Sequence, residues 1–202
     1  MITLAIETST VRGSVAVVEN GRLLFSEQFA ADRALGTHLF PCLQRARKAA
    51  PHYDQIAIGL GPGSYSGVRI SIAAATGLEL AGGAELLGIP SLLAIETDSE
   101  KYIAIGDARR SSFYFALIDR GECVAGPMLL DEQQLRSALA SHADVPVFTA
   151  EPIEIFTNAQ TGTPSAERLA RLAVSGRGII ARGQLEPIYL RDPHITQAKK
   201  IQ

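Results

Sequence analysis

The chain has 202 residues, of which 47% are hydrophobic and 20% charged, and its formal net charge is −2. These values are typical of a globular protein with one large domain or two small lobes. The charge is nearly balanced and the sequence has no long basic run, which argues against a dedicated nucleic-acid surface. Cys42 and Cys123 lie far apart and form no CxxC or zinc-binding pattern, so a disulfide scaffold is not expected.

The sequence also lacks membrane and targeting signals. No run approaches the roughly 18 apolar residues that a membrane span needs. The opening residues, MITLAIETST, lack the basic region and the long apolar core of a secretory signal. We therefore expect a cytoplasmic protein without a membrane segment.

The first half of the chain predicts a sheet followed by two helices. The Asn20-Gly21 pair is a strong hairpin signal, because both central positions of a type I′ turn need positive φ. The apolar residues Leu39, Cys42, Leu43 and Ala46 recur at helical spacing. In chain order, we predict strands at 2–8, 13–19 and 22–29, a helix at 38–49, a strand at 56–60, a helix at 68–81 and a short strand at 86–90.

The second half repeats this order after a polar segment at 95–101, which we interpret as the boundary between lobes 1–98 and 99–202. Asp131 with Gln134 predicts a capped helix start, and Pro164 is expected early in the last helix. The predicted elements are strands at 102–107, 113–119 and 124–130, a helix to about 141, a strand at 146–149 and a helix at 165–174. The repeated order predicts an α/β fold of two RNase H-like βββαβα lobes.

The glycine-rich stretch GLGPGSYSGVRI, residues 59–70, lies between a predicted strand and a predicted helix. It is not a Walker A loop, because no Lys-Ser or Lys-Thr follows. It is not a dinucleotide-binding fingerprint either, because Ser66 occupies the position of the third glycine. We interpret it as a tight strand-to-helix connection in which Ser64 or Ser66 caps the helix.

Arg69 is predicted in the first turn of the helix that follows. A cation there opposes the helix dipole by roughly 0.3–1 kcal/mol. We therefore expect an acidic group to hold Arg69, and the candidates are Glu7, a phosphate or a carboxylate of a partner.

The helix predicted at 68–81 carries small or apolar residues almost all round, which indicates burial on more than one side. With the helix at 38–49 it is predicted to form a docking surface of isologous or pseudo-symmetric kind. Charged substitutions at Leu39, Leu43, Ile72 and Ala75 are expected to abolish association and spare the fold. The predicted interface residues are His38, Leu39, Leu43, Val68, Ile72 and Ala75.

The sequence offers no recognisable catalytic or metal-binding set. The four histidines show no i, i+4 pairing. No GxSxG elbow is present. We therefore predict neither hydrolase chemistry nor a metal site.

Four stretches together resemble the TsaB family of tRNA threonylcarbamoyladenosine biosynthesis. They are LAIETS, GLGPGSYSGVRISIAAATGLEL, GDARRSSFYFALID and PIYLR, which lie in the family's order between residues 4 and 191. The resemblance implies an actin-like ATPase (ASKHA) fold of two lobes. It also implies an inactive scaffold or activator subunit rather than a catalyst.

The resemblance further implies the partners. A heterodimer with a TsaD-like transferase would form through the helices of the first lobe, with a homodimer when the chain is alone. A TsaE-like ATPase would join a larger complex, and tRNA would be contacted indirectly. No cofactor is expected to bind strongly, although ATP or ADP could sit at the partner junction. The residues expected to face a nucleotide or another anion are Glu7, Thr8, Ser9, Gly61, Gly63, Ser64 and Arg69.

The sequence departs from the family pattern in three places. Glu7 stands where Asp is usual at the turn that faces phosphate and magnesium in the actin-like fold. The stretch between Ser91 and Tyr102 is short, so a truncated lobe-bridging helix is expected. PVFTAEP, residues 146–152, replaces a glycine-rich segment. The partner family's HxxxH metal ligands would fall on Ser91 and Ile95, neither of which ligates.

Two alternative functions stay open at this point. The first is an autonomous ATPase or small-molecule kinase on the same fold, against which Glu7 and PVFTAEP both argue. The second is a homodimeric scaffold for another enzyme. The sequence does not distinguish this homodimer from the heterodimer with a transferase, because both could use the same helices.

Overall fold

A computed structural model describes residues 1–31 and 34–190, so the basic tail QAKKIQ, predicted to be a solvated end, lies outside the described residues. The α-helices are α1 (Leu35–Ala49), α2 (Tyr65–Gly82), α3 (Glu132–Ala140) and α4 (Ala166–Ser175). The strands are β1 (Ile2–Glu7), β2 (Arg12–Glu19), β3 (Arg22–Ala30), β4 (Gln55–Gly59), β5 (Glu85–Ile89), β6 (Lys101–Asp107), β7 (Phe113–Asp119), β8 (Glu122–Leu130), β9 (Val147–Thr149), β10 (Gln160–Thr161) and β11 (Ala181–Arg182).

The strands form two sheets that share the order and direction of five strands, and the first sheet has β11 as a sixth strand. The first has the order β3-β2-β1-β4-β5-β11, and the second has the order β8-β7-β6-β9-β10. In each sheet the first three strands are antiparallel neighbours, and the fourth runs parallel to the first. This repeated arrangement confirms the prediction of two RNase H-like lobes in an actin-like α/β fold.

The inner strands β1 and β4 of the first sheet are buried on both faces, and their side chains alternate between two apolar clusters. Leu4 and Ile6 belong to the apolar cluster beneath α1 and α2. Ala5, Ala16 and Ala57 face the other way, into a cluster that holds α4 and inner-face residues of the second sheet. These small side chains let α4 approach the sheet closely.

The local helix signals were mostly sufficient to place the helices. Asp131 and Gln134 form the predicted capping box of α3, and Ser64 caps α2. The position predicted for Pro164 is wrong. It precedes the N-cap residue Ser165 and pairs instead with Ile95 in an isolated β-bridge.

The connection between the lobes is short. Ser91–Ala94 forms one 3-10 turn, and the chain then runs to β6, as expected for a truncated bridging helix. The boundary at 98/99 lies in this connection and stays a prediction. After α4 the chain returns to the first sheet through β11, which the sequence did not predict. No helix in the described part of the chain is long and apolar enough to cross a membrane.

Candidate functional site

The glycine loop packs directly against the turn that follows β1. The Thr8 hydroxyl donates to the Gly67 carbonyl at 2.9 Å and lies 2.5 Å from the Ser71 hydroxyl. A Cβ atom at Gly63 would collide with the Ser9 carbonyl, and one at Gly67 would collide with the Thr8 carbonyl. These two glycines therefore let two backbone segments meet where no larger residue would fit.

Three backbone N–H groups of the glycine loop form hydrogen bonds inside the chain. The Ser64 N–H donates to the Ser9 carbonyl at 2.7 Å. The Gly61 N–H donates to the Ser91 hydroxyl at 3.0 Å, and the Gly67 N–H donates to the Ser64 hydroxyl at 3.2 Å. The loop thus closes on its own fold instead of presenting these three groups to a ligand.

Glu7 lies beneath this contact and is completely buried. Its Oε1 accepts the Ser9 N–H at 2.6 Å, whereas Oε2 has no hydrogen-bond partner among the described residues. A Cβ atom at Gly59 would collide with Oε2, so this glycine makes the space for the carboxyl group. Burial raises the pKa of Glu7, and the nearby Ser9 and Ser91 groups lower it only in part.

We expect Glu7→Gln to stabilise the protein at alkaline pH. The folded state holds its proton above the ordinary pKa of 4.5, so stability is complete below that pH and is lost as pH rises through the folded pKa. In this window one carboxyl lowers the free energy of unfolding by up to about 1.4 kcal/mol per pH unit. Gln keeps the shape of the neutral acid and removes this loss.

The measurement is denaturant unfolding of both proteins between pH 4 and pH 9. The difference in unfolding free energy should vanish at the acid end and grow towards the alkaline end. A difference that does not change with pH, or a variant less stable than the parent throughout, would contradict a buried neutral Glu7.

The arrangement does not fit the magnesium-bound nucleotide that the actin-like fold implies. An acid that holds magnesium must be charged and must reach the water around the ion, but Glu7 is fully enclosed and held towards its neutral form. In the described ranges 1–31 and 34–190, no three His, Cys, Asp or Glu side chains group as metal ligands.

Arg69 lies in a different environment from the one expected. Because α2 begins at Tyr65, Arg69 occupies its second turn, where the helix dipole matters less. Its Nη1 donates to the Tyr65 hydroxyl at 2.5 Å, and its guanidinium carbon lies 5.0 Å from the Tyr65 ring centroid. The pKa of Arg69 is raised, mainly because its guanidinium is hydrogen-bonded to Tyr189. Glu7, one of the candidate acids, is therefore not the group that holds Arg69, whereas a phosphate or a partner's carboxylate stays a prediction.

Asp107 repeats in the second lobe the local geometry of Glu7. Both acids end the first strand of their sheet, and Asp107 Oδ1 accepts the Arg109 N–H, two residues on, at 2.7 Å. Unlike Glu7, Asp107 is exposed. Beyond Ala108 the backbone is left-handed over three residues, which is uncommon. The φ values are 64° at Arg109, 55° at Arg110 and 54° at Ser111.

The predicted interface residues divide into two groups. Leu39, Val68 and Ala75 are buried within the first lobe. The prediction that charges at Leu39 and Ala75 would spare the fold is wrong, because these side chains pack on their own sheet. His38 is exposed, and Leu43 and Ile72 are half-buried.

The outer surface of α1 and α2 is apolar at positions that the sequence did not single out. Phe40 on α1 is 51% exposed, and Leu80 on α2 is 81% exposed. On α2, Leu80 is the last residue of a continuous row at helical spacing, which we call the outer stripe. The outer stripe consists of Tyr65, Arg69, Ile72, Ala73, Thr76 and Leu80.

The comparisons with known proteins agree with this architecture. Residues 32–136 match the family model described as TsaD, tRNA N6-adenosine threonylcarbamoyltransferase. The Haemophilus influenzae tRNA threonylcarbamoyladenosine biosynthesis protein TsaB is 26% identical over 94% of this chain and 93% of its own length. Uncharacterized protein ML0378 of Mycobacterium leprae is 29% identical, covering 62% of this chain but 38% of its own length.

A solved structure is similar across nearly the whole chain. It is a Pseudomonas aeruginosa protein described as uncharacterised, with similarity to peptidase YEAZ. The TM-score is 0.74 at 26% identity, and the match covers 94% of this chain and 99% of the other.

The repeated sheets define a two-lobed actin-like α/β protein whose glycine loop packs against the turn after β1. The family model covers just over half of the chain, and a full-length relative and a solved structure agree with it. The chain belongs to the TsaD family in its TsaB/YeaZ branch, as its four motifs predicted.

Proposed function

We propose that this chain is the non-catalytic subunit of a complex that makes threonylcarbamoyladenosine on tRNA. It would bind a TsaD-like transferase and support its activity. The family model and the name of the H. influenzae relative support this pathway.

One observation supports the non-catalytic part of the proposal. The turn after β1 packs against the glycine loop, three N–H groups of that loop are hydrogen-bonded within the chain, and the acid of the turn is buried. The same observation disfavours an autonomous ATPase or kinase.

The outer surface of α1 and α2 supports the docking part. Large apolar side chains at Phe40 and Leu80 are exposed beside small residues such as Ala73 and Gly77, which allow close helix approach. The transferase would bind here in a heterodimer, and a second copy of the chain would bind here when the chain is alone. ATP or ADP at the junction and a TsaE-like ATPase in a larger complex are further parts of the proposal.

The experiment is a reconstituted modification reaction with the TsaD-like transferase and tRNA of the same organism. We expect modification to depend on this chain and the two proteins to co-elute on size exclusion, with and without ATP. No complex and no stimulation would defeat the proposal. A stable homodimer that ignores the transferase would favour the homodimeric scaffold for another enzyme.

A further inference from the structure

The segment after α4 is fixed to the first lobe and reaches the start of α2. β11 pairs with β5, and the Ile188 N–H then donates to the Leu60 carbonyl at 2.8 Å. This bond lies at the entrance of the glycine loop. It places the next residue, Tyr189, beside the first residue of α2.

Three side chains meet at this point. The ring centroids of Tyr65 and Tyr189 are 5.5 Å apart with an interplanar angle of 32°. Arg69 lies over the Tyr65 ring and donates to its hydroxyl. We call these three residues the tyrosine–arginine cluster.

The cluster is exposed although it is made of large side chains. Tyr65 is 52% exposed and Tyr189 is 45% exposed. Half-exposed aromatic rings beside an arginine are the residue types that most often anchor protein–protein interfaces. Two members of the cluster, Tyr65 and Arg69, are also the first two residues of the outer stripe, so the cluster adjoins the apolar side chains further along α2.

Tyrosine side chains are the hydrogen-bond partners that the structure gives for the Arg69 guanidinium. Arg69 forms no ion pair with any residue in 1–31 or 34–190. The sequence from 55 to 78 contains no Asp or Glu. Two tyrosine rings and a cation with no ion-pair partner in residues 1–31 or 34–190 form a surface that is complementary to a carboxylate beside an apolar side chain.

We propose that the tyrosine–arginine cluster anchors the bound transferase, receiving a segment of that partner with a carboxylate beside an apolar side chain. This inference rests on the proposed function and assigns the C-terminal segment to the docking surface. The C-terminal segment thereby completes a surface that α1 and α2 begin.

The test is titration calorimetry of the full chain with the TsaD-like transferase of the same organism. Tyr189→Ala should weaken binding about thirtyfold, as for an interface hot spot. Tyr65→Ala provides a second, independent variant with the same expected direction. Ile180→Ala is the matched control, because Ile180 is exposed in the same returning segment and lies outside the cluster.

Arg69→Gln separates the role of the charge from that of the rings. The affinity of the parent should fall as salt is raised, and that dependence should be weaker in the variant. Each variant is first compared with the parent in thermal unfolding. A loss of affinity is then attributed to the interface only where the melting temperature is retained.

The outcomes distinguish this inference from the proposed function. Parent affinity in Tyr189→Ala and Tyr65→Ala would overturn the inference, even if the outer stripe proved essential. Failure of the parent to bind the transferase would overturn the proposed function as well. Cluster variants that lose RNA binding but keep partner affinity would also overturn the inference and would assign the cluster to RNA.

Discussion

Gly67→Ala should destabilise the protein by about 3 kcal/mol, although alanine is the better helix former. Gly67 lies in the first turn of α2, where its backbone is already helical. A Cβ atom there would collide with the Thr8 carbonyl and crowd the Ser64 side chain. Overpacking typically costs 1–3 kcal/mol, and loss of the Ser64 cap adds about 1 kcal/mol. The melting temperature should fall by about 6–12 °C.

Gly77→Ala is the matched control in the same helix. No atom lies within 4 Å of a Cβ atom at Gly77. The substitution should therefore stabilise the protein by roughly 0.5–1 kcal/mol through helix propensity alone. Thermal unfolding of both variants measures the contrast. A Gly67→Ala protein as stable as the parent would show that the loop and the turn after β1 do not meet as described.

The double substitution Phe40→Asp with Leu80→Asp should abolish binding to the transferase and spare the fold. Both side chains are exposed in the free chain, so charges there meet water until a partner covers them. Burying unpaired charges at an interface costs several kcal/mol, which corresponds to at least about a hundredfold loss of affinity. Titration with the transferase measures the loss, and thermal unfolding verifies the fold.

The control for this pair is Val124→Asp with Ile155→Asp in the second lobe. Both residues are large, apolar and exposed, and neither lies on α1 or α2. The control pair should keep the affinity of the parent. Equal losses in both double variants would indicate a general charge effect and would remove the support for this docking surface.

The fold was largely predictable because its signals are local. Alternating apolar strands, the Asn20-Gly21 turn and the cap at Asp131 each depend on a few neighbouring residues. The return of the chain to the first sheet through β11 was missed. That strand has only two residues, and its pairing with β5 depends on contacts far apart in the sequence.

The site was predicted less well, since its properties depend on burial and on distant partners. Ser64 was one of two predicted caps of α2 and is confirmed, but the contact between the glycine loop and the Ser9 backbone depends on the tertiary fold. Leu39 and Ala75 were assigned to the surface because helical spacing does not say which apolar face meets the sheet. Tyr189 was present in the PIYLR motif, and only the fold brings it to Tyr65.

The decisive measurement is the rate of tRNA modification by the TsaD-like transferase. It should be made without this chain, with the chain, and with its Glu7→Gln variant. If the chain is a non-catalytic subunit, we expect little modification without it. The parent and the variant should then stimulate the transferase strongly and equally. Full modification without the chain, or stimulation that disappears in a folded Glu7→Gln protein, would contradict that account.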